Sequence, residues 1–165
     1  MTNGLASAYA RLAGILVHRQ GAGSESVPRV LVVDDEEPIR NFVSRVLRSA
    51  GFHTATASDG PEALQVAATE SFDVLLTDLM MPHMNVDELA RRLRANDPAL
   101  KVLYFTGHSD RLFAERLLLW EDEAFLDKPC TTTGLLEAVS VIVSGRTGMA
   151  DRLGSTHRCP SAARV

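Results

Sequence analysis

Five short apolar runs alternate with amphipathic stretches between residues 29 and 145, and this alternation restricts the fold more than any other feature. Most of the runs are rich in Val, Leu and aromatic residues, and none exceeds the length of a strand. Runs that are apolar on both faces are typical of parallel strands covered by helices on both sides. The pattern predicts strands at Arg29–Val33, His53–Thr56, Asp73–Thr77, Lys101–Phe105 and Ala124–Leu126.

The intervening stretches predict five helices, because their apolar residues recur at three- and four-residue spacing. Pro38 suits the first turn of the first helix, and Gly51 suits its end. The run Ser58-Asp59-Gly60-Pro61 opens the second helix, whose inner face is predicted to hold Leu64, Ala67 and Ala68. The remaining helices are predicted at Val86–Ala95, Asp110–Trp120 and Thr132–Val143.

Strands and helices in this succession predict an α/β fold, namely a flavodoxin-like doubly wound five-stranded parallel sheet with five helices. In the strand order 2-1-3-4-5 the weakly apolar run His53–Thr56 forms an edge strand, and the other four strands are contiguous. Right-handed crossovers bring the carboxyl ends of those four strands to one crevice, where ligand chemistry is expected.

The composition is that of a soluble globular domain and excludes several other classes. With 45% hydrophobic and 23% charged residues, the 165-residue chain can bury a core without disulfides. Cys130 and Cys159 are too few for a disulfide scaffold and favour a reducing compartment. No apolar run approaches the roughly 20 residues of a membrane span, and no signal peptide is evident, so we expect a cytoplasmic protein.

The central region is acidic. Residues 30–145 carry ten basic and nineteen acidic residues, a net charge of −9, whereas the flanks have a net charge of +5. Duplex DNA is bound largely through neutralised phosphates, so we expect no DNA binding by this region. Converging carboxylates could instead bind a divalent cation.

Polar residues follow four of the predicted strands. The acidic run Asp34-Asp35-Glu36-Glu37 follows the first strand, Asp78 the third, Thr106 the fourth and Lys128 the fifth. Clustered carboxylates repel one another, and a set of oxygen ligands suits Mg²⁺. A lysine and a hydroxyl opposite the metal suit phosphate oxygens. Together these residues predict a Mg²⁺-dependent phosphoryl site with an aspartate nucleophile.

Each motif has a simpler interpretation when it is taken alone. The acidic run could cap the following helix, since carboxylates favour helix N-termini. Asp78 could be a turn or cap residue, and Thr106-Gly107 could be an ordinary turn. Their joint occurrence at four strand ends favours the functional interpretation.

Residues 29–145 resemble the receiver domain of two-component response regulators, and the segments around the fourth and fifth strands are similar to receivers attached to hybrid sensor kinases. The matching motifs are Val32-Val33-Asp34-Asp35-Glu36, Asp78-Leu79-Met80-Met81-Pro82-His83-Met84, Thr106-Gly107 and Lys128-Pro129. The resemblance implies that Asp78 is the phosphoacceptor. It also implies that Asp35, Asp78 and the backbone carbonyl of Met80 ligate Mg²⁺, and that Asp34 holds the water shell of the metal.

The remaining site residues are also assigned by the resemblance. Thr106 would hydrogen-bond the phosphoryl group, and Lys128 would pair with it. Phe125 matches an aromatic residue that turns inward on activation, so Thr106 and Phe125 would form the switch. Phe125 lacks the hydroxyl of the commoner Tyr, and a plain core aromatic would also fit this position. The Lys128–Pro129 bond is expected to be cis.

Two positions depart from the family pattern, and two others lie where the family varies its phosphoryl lifetime. Val86 stands where Gly is usual, so the turn before the third helix should differ or the helix should start one residue early. Cys130 stands where Phe is frequent, either as a free thiol near the site or as a small buried residue. Met80 and His108 occupy positions that help set phosphoryl lifetime. His108 could make dephosphorylation pH-dependent, or it could be a solvated loop residue.

The chain is expected to comprise an N-terminal extension (1–28), the receiver domain (29–145) and a flexible C-terminal tail (146–165). The extension has apolar residues at helical spacing, namely Leu5, Tyr9, Leu12, Leu16 and Val17. They suit an amphipathic helix that docks on the domain or on a partner. A disordered extension or a misplaced start codon would also fit. The run Leu117-Leu118-Leu119-Trp120 indicates a surface for homodimers or effectors, or an early helix end.

The expected function is that of a single-domain response regulator, which is not a conventional enzyme. It would accept a phosphoryl group from a histidine kinase or phosphotransfer protein and switch its protein contacts. One alternative is a receiver-like module that binds partners without phosphorylation, and another is a detached receiver of a hybrid histidine kinase. A phosphohydrolase of the haloacid-dehalogenase type would need a second acid two residues after Asp78, where this chain has Met80.

Overall fold

A five-stranded parallel sheet of order β2-β1-β3-β4-β5 forms the centre of the domain, as the alternating pattern predicts. The computed structural model describes residues 27–81, 84–107 and 122–144. The strands are β1 (Arg29–Val33), β2 (His53–Ala57), β3 (Val74–Thr77), β4 (Lys101–Thr106) and β5 (Glu123–Asp127). The described helices are α1 (Glu37–Ser49), α2 (Gly60–Ala67), α3 (Val86–Asn96) and α4 (Thr132–Val143).

Four of the five predicted helices are confirmed, and the fifth prediction, Asp110–Trp120, lies outside the described residues. Among the described residues, no helix has the length and apolar character needed to cross a bilayer. The strand boundaries agree with the predictions to within one residue. β5 begins at Glu123 rather than Ala124, because Glu123 is buried and takes part in strand pairing.

Two apolar layers cover the sheet, and successive strand residues alternate between them. Val30 and Val32 of β1 face the layer that α1 and α4 cover, while Leu31 and Val33 face the layer that α2 and α3 cover. The inner face of α3 is the predicted one, since Val86, Leu89, Ala90 and Leu93 are all buried. This double coverage leaves the two ends of the sheet for polar groups.

The predicted inner face of α2 is wrong in part. Ala63 is fully buried, whereas Leu64 and Ala67 are only partly buried and Ala68 is exposed. The helix ends at Ala67, so Ala68 is its C-cap rather than part of its inner face. Periodicity alone could not choose among small alanines, because they differ little in apolar area.

Two features hold the chain at the amino-terminal end of the sheet. Gly51 ends α1 with a φ of +91°, a conformation that favours glycine. At the amino-terminal end of the sheet, Nζ of Lys101 donates to the carbonyl oxygens of Ile142 and Val143 at 2.8 and 3.0 Å. The last turn of α4 is therefore held at the start of β4.

Candidate functional site

The carboxyl ends of β1, β3, β4 and β5 lie side by side, and their pairing continues one residue beyond the regular strands. Asp78 donates its backbone N–H to Val33 at 3.2 Å, and Lys128 donates its own to Thr106 at 2.9 Å. Asp34 similarly donates to Ala57 at 3.3 Å. The ladder therefore fixes the backbone of the residues that the sequence places at the strand ends.

Three carboxylates converge at this end of the sheet. Oxygen atoms of Asp34, Asp35 and Asp78 all lie within 4.8 Å of one another. Asp34 and Asp78 are buried, at 1% and 7% exposure, whereas Asp35 is exposed. Hard oxygen donors, of which one faces solvent, suit Mg²⁺, which keeps several waters when it is bound. The three side chains therefore fit a divalent cation.

Lys128 bridges the two buried carboxylates. Its Nζ lies 2.6 Å from Oδ2 of Asp34 and 2.8 Å from Oδ2 of Asp78. Burial would lower the pKa of Lys128, but the hydrogen bonds and charges of the two aspartates outweigh burial and raise that pKa. Burial raises the pKa of Asp34 against the opposing effect of Lys128. The ammonium is therefore charged, and it offsets part of the repulsion between the acids.

Backbone N–H groups hold the two buried carboxylates in place. Oδ1 of Asp34 accepts from the N–H of Glu36 at 2.9 Å, and Oδ1 of Asp78 accepts from the N–H of Met80 at 3.2 Å. Arg40 of α1 donates to the backbone carbonyl of Asp34 at 2.6 Å. These contacts leave each aspartate with one oxygen on the backbone and the other on Lys128.

The first residue of α2, Gly60, lies very close to Met84 in the loop before α3. A Cβ at Gly60 would lie 2.7 Å from both Cβ and Sδ of Met84, so only glycine fits there without a shift. Asn85 then caps α3 by accepting from the N–H of Asp87 at 2.8 Å. Val86 is the first residue of α3 and is buried, so the helix begins directly at the position where the family usually has Gly.

Most of the predicted site residues lie together at this end of the sheet. Asp34, Asp35, Asp78 and Lys128 form one cluster, and Thr106 is fully buried at the end of the neighbouring strand. The side chain of Met80 is 45% exposed, while its backbone contacts Asp78. The Lys128–Pro129 peptide bond is cis, as the resemblance predicts.

Two further predicted positions lie close to the cluster. Phe125 pairs with Tyr104 across β4 and β5 and is partly buried against the α2–α3 layer. Cys130 is partly buried against the α1–α4 layer, and burial raises the pKa of its thiol. The predictions about His108, Leu117–Trp120, the extension up to residue 26 and the C-terminal tail lie outside the described residues.

Sequence reasoning missed two residues at this site. The sequence could have indicated Arg40, because this residue lies in the first turn of α1, shortly after the acidic run that follows β1. Phe105 is buried, and the Nζ of Lys128 lies over its ring at 5.3 Å from the centroid. In sequence Phe105 is an ordinary apolar strand residue, so only the pairing of β4 with β5 shows this contact.

The family model of response regulator receiver domains matches residues 30–140, which is about two thirds of the chain. The chain belongs to this family. As a receiver domain, it is a signalling module of two-component systems rather than a conventional enzyme. Receiver domains bind Mg²⁺ in an acidic pocket, and the Asp34, Asp35 and Asp78 cluster is a pocket of that kind.

Curated relatives of this receiver domain include two proteins of Brucella abortus strain 2308. The response regulator receiver protein CpdR is 39% identical over 79 residues, which cover 48% of this chain and 66% of CpdR. The sensor kinase CckA is 32% identical over 112 residues, which cover 67% of this chain and 12% of CckA. The receiver domain thus spans less than two thirds of the length of either relative.

Solved structures show the same fold. The chemotaxis response regulator CheY4 of Vibrio cholerae has 32% identity and a TM-score of 0.63, with coverage of 71% of this chain and 99% of CheY4. A response regulator receiver protein from Sinorhizobium medicae WSM419 has 27% identity and a TM-score of 0.65, with coverage of 74% and 99%. The flavodoxin-like fold predicted from the sequence is therefore confirmed.

Proposed function

We propose that this receiver domain accepts a phosphoryl group on Asp78 from a phosphohistidine of a histidine kinase or phosphotransfer protein. The observation that carries the proposal is the convergence of three carboxylates within 4.8 Å, two of which share the ammonium of Lys128. Such a cluster is acidic enough to require a cation and also offers a lysine to phosphate oxygens.

In this proposal Asp35, Asp78 and the carbonyl of Met80 hold Mg²⁺, with Asp34 acting through bound water. When bound, the metal supplies positive charge that stabilises the oxygens of the transferring phosphoryl group. A carboxylate oxygen of Asp78 attacks phosphorus as the P–N bond to the imidazole breaks. The bonding electron pair returns to the imidazole nitrogen, and an acyl phosphate forms on Asp78.

Lys128 and Thr106 have separate tasks. Lys128 already contacts Asp78, so its ammonium is close enough to donate to a phosphoryl oxygen on that carboxylate. Thr106 ends the adjacent strand and would donate its hydroxyl to another oxygen, and Phe125 would respond to its movement. The acyl phosphate would later be hydrolysed by water, which returns the switch to its resting state.

We further propose that the protein is a single-domain response regulator of residues 29–145, flanked by an N-terminal extension (1–28) and a C-terminal tail (146–165). Its output would be a change in contacts with another protein, in the cytoplasm. The match to the sensor kinase CckA supports the alternative that the same residues are a receiver detached from a hybrid kinase.

The test is the intact mass of the full chain after incubation with acetyl phosphate and Mg²⁺. The wild type should gain one phosphoryl group that hydroxylamine removes, and Asp78→Asn should gain none. Asp97→Asn is the matched control, because Asp97 lies at the opposite end of the sheet and should leave phosphorylation unchanged. If the wild type gains no mass and beryllofluoride with Mg²⁺ does not bind, the protein is a phosphorylation-independent module.

A further inference from the structure

An aromatic ring lies beneath the lysine of the site. Phe105 is the penultimate residue of β4 and is only 3% exposed. The Nζ of Lys128 lies over its ring, 5.3 Å from the centroid, within the range in which a cation is attracted to an aromatic face. The ring and the two aspartates therefore surround the ammonium on several sides.

The strand register explains this contact. Phe105 pairs with Leu126 across β4 and β5, and both side chains face the α1–α4 layer. Lys128 follows Leu126 by two residues, so its side chain leaves the backbone on the same face and diagonally across from Phe105. The continued ladder bond between Lys128 and Thr106 holds this geometry.

The ring provides something that another carboxylate could not. The side chain of Lys128 is only 13% exposed, so its ammonium has lost most of its water. Two of the three donors of the ammonium are directed at Asp34 and Asp78. The negative face of an aromatic ring stabilises a cation without accepting a conventional hydrogen bond. The third donor can then serve an incoming phosphoryl oxygen.

We infer that Phe105 is a positioning residue for phosphorylation, acting through the ammonium of Lys128. This inference rests on the proposed function, because it assigns Lys128 to the phosphoryl group. The ring holds the charged end of Lys128 over the site while the two aspartates fix it laterally. Weakening the attraction of the ring should therefore slow phosphorylation without changing the shape of the core.

Fluorinated phenylalanines at position 105 test the inference, because each added fluorine weakens the negative face of the ring and changes its shape little. The first-order rate of phosphorylation would be measured by intact mass at saturating Mg²⁺ and acetyl phosphate. We expect the rate to fall stepwise along the series, by about fivefold for the pentafluoro ring, with the logarithm of the rate linear in the calculated cation affinity of the ring.

Phe72 is a matched control within the same chain. It is also buried, and the guanidinium of Arg29 lies over its ring at 5.9 Å, but at the opposite end of the sheet. The same fluorinated series at Phe72 should leave the phosphorylation rate within twofold of the wild type. A rate that fell equally in both series would reduce Phe105 to a packing residue and overturn the inference.

A second measurement needs no substitution. The chain contains only two lysines, Lys101 and Lys128, so ¹³C-labelled lysine gives two assignable ε-methylene signals. Ring current should shift the Lys128 ε-protons upfield of those of Lys101, which binds the end of α4. Phe105→Leu should abolish that shift, and its absence in the wild type would contradict the geometry.

The outcomes separate this inference from the proposed function. If the wild type is phosphorylated and the fluorinated series at Phe105 has no effect on rate, Phe105 has no positioning role and the proposed function stands. If the wild type gains no phosphoryl group and does not bind beryllofluoride, the proposed function fails and this inference fails with it.

Discussion

Buried acids lie at both ends of the sheet, but the two ends balance their charge differently. At the amino-terminal end, Glu123 is 2% exposed and its Oε1 accepts from Arg94 at 3.1 Å and from the Tyr104 hydroxyl at 3.2 Å. Glu70 at that end pairs with Arg29. At the carboxyl end, three carboxylates converge, and among the described residues the ammonium of Lys128 contacts two of them, Asp34 and Asp78. An acid paired with its own arginine is explained by folding alone, whereas a surplus of acids indicates a site for an added cation.

This contrast separates stability from function. A buried carboxylate that lacks a cation is costly, so a stable protein normally pairs it. The cluster of Asp34, Asp35 and Asp78 has more negative charge than Lys128 can balance, and under the proposed function bound Mg²⁺ would supply the missing positive charge. Substitutions at the two ends should therefore respond differently to Mg²⁺.

The largest effect is expected when the arginine is removed from the amino-terminal end. Arg94→Met takes the cation from the buried Glu123 and should lower the free energy of unfolding by about 2–3 kcal/mol, which is less than the roughly 3–5 kcal/mol typical of broken, fully buried pairs. Arg94 is 25% exposed, which moderates the loss. Urea denaturation with and without Mg²⁺ should show the same decrease relative to the wild type.

Lys128→Met provides the contrast at the carboxyl end. It should destabilise the metal-free protein, and Mg²⁺ should recover most of that loss because it replaces the missing positive charge. Equal recovery of Arg94→Met and Lys128→Met would show that charge balance does not distinguish the two ends.

A smaller effect, of opposite sign at the two ends, is expected when one carboxylate becomes an amide. Asp35→Asn removes a repelling charge and should raise the metal-free free energy of unfolding by about 1 kcal/mol. It should also weaken the stabilisation by Mg²⁺, which depends on affinity. Glu70→Gln breaks the pair with Arg29 and should lower stability by about 0.5–1 kcal/mol at any Mg²⁺ concentration. If Asp35→Asn and Glu70→Gln both lowered the free energy of unfolding of the metal-free protein, the carboxyl end of the sheet would have no excess of negative charge.

The smallest effect is a difference in alkaline stability between the wild type and Tyr104→Phe. Burial, and then the charge of Glu123, raise the pKa of Tyr104 well above its usual value of 10.0, while Arg94 opposes this. The stabilising contribution is therefore present below about pH 10 and declines as the pH rises further. Melting temperatures between about pH 9 and 11.5 should fall more steeply for the wild type. Parallel curves would show that Tyr104 ionises as freely as in the unfolded chain.

The sequence could predict the fold because its signals are local. The buried positions of α3 recur at helical spacing, and Asp78 and Lys128 directly follow apolar runs. It could not predict the Arg94–Glu123 pair, whose residues are 29 positions apart and whose glutamate looks solvent-facing in sequence. The contact between Phe105 and Lys128 could not be predicted either, because it depends on the register in which β4 pairs with β5 and not on either residue alone.

The hydrogen bonds from Lys101 to the end of α4 bear on where this domain can be attached to a label or a surface. They hold Ser144 near the amino-terminal end of the sheet, and Val27 enters β1 at that same end. The acidic cluster lies about one strand length away, roughly 17 Å for five residues. An affinity tag, a fluorophore or a surface anchor joined directly at either residue would begin at about that distance from the cluster. Immobilising the domain by this end would therefore turn the site toward the solution, from which a partner must reach it.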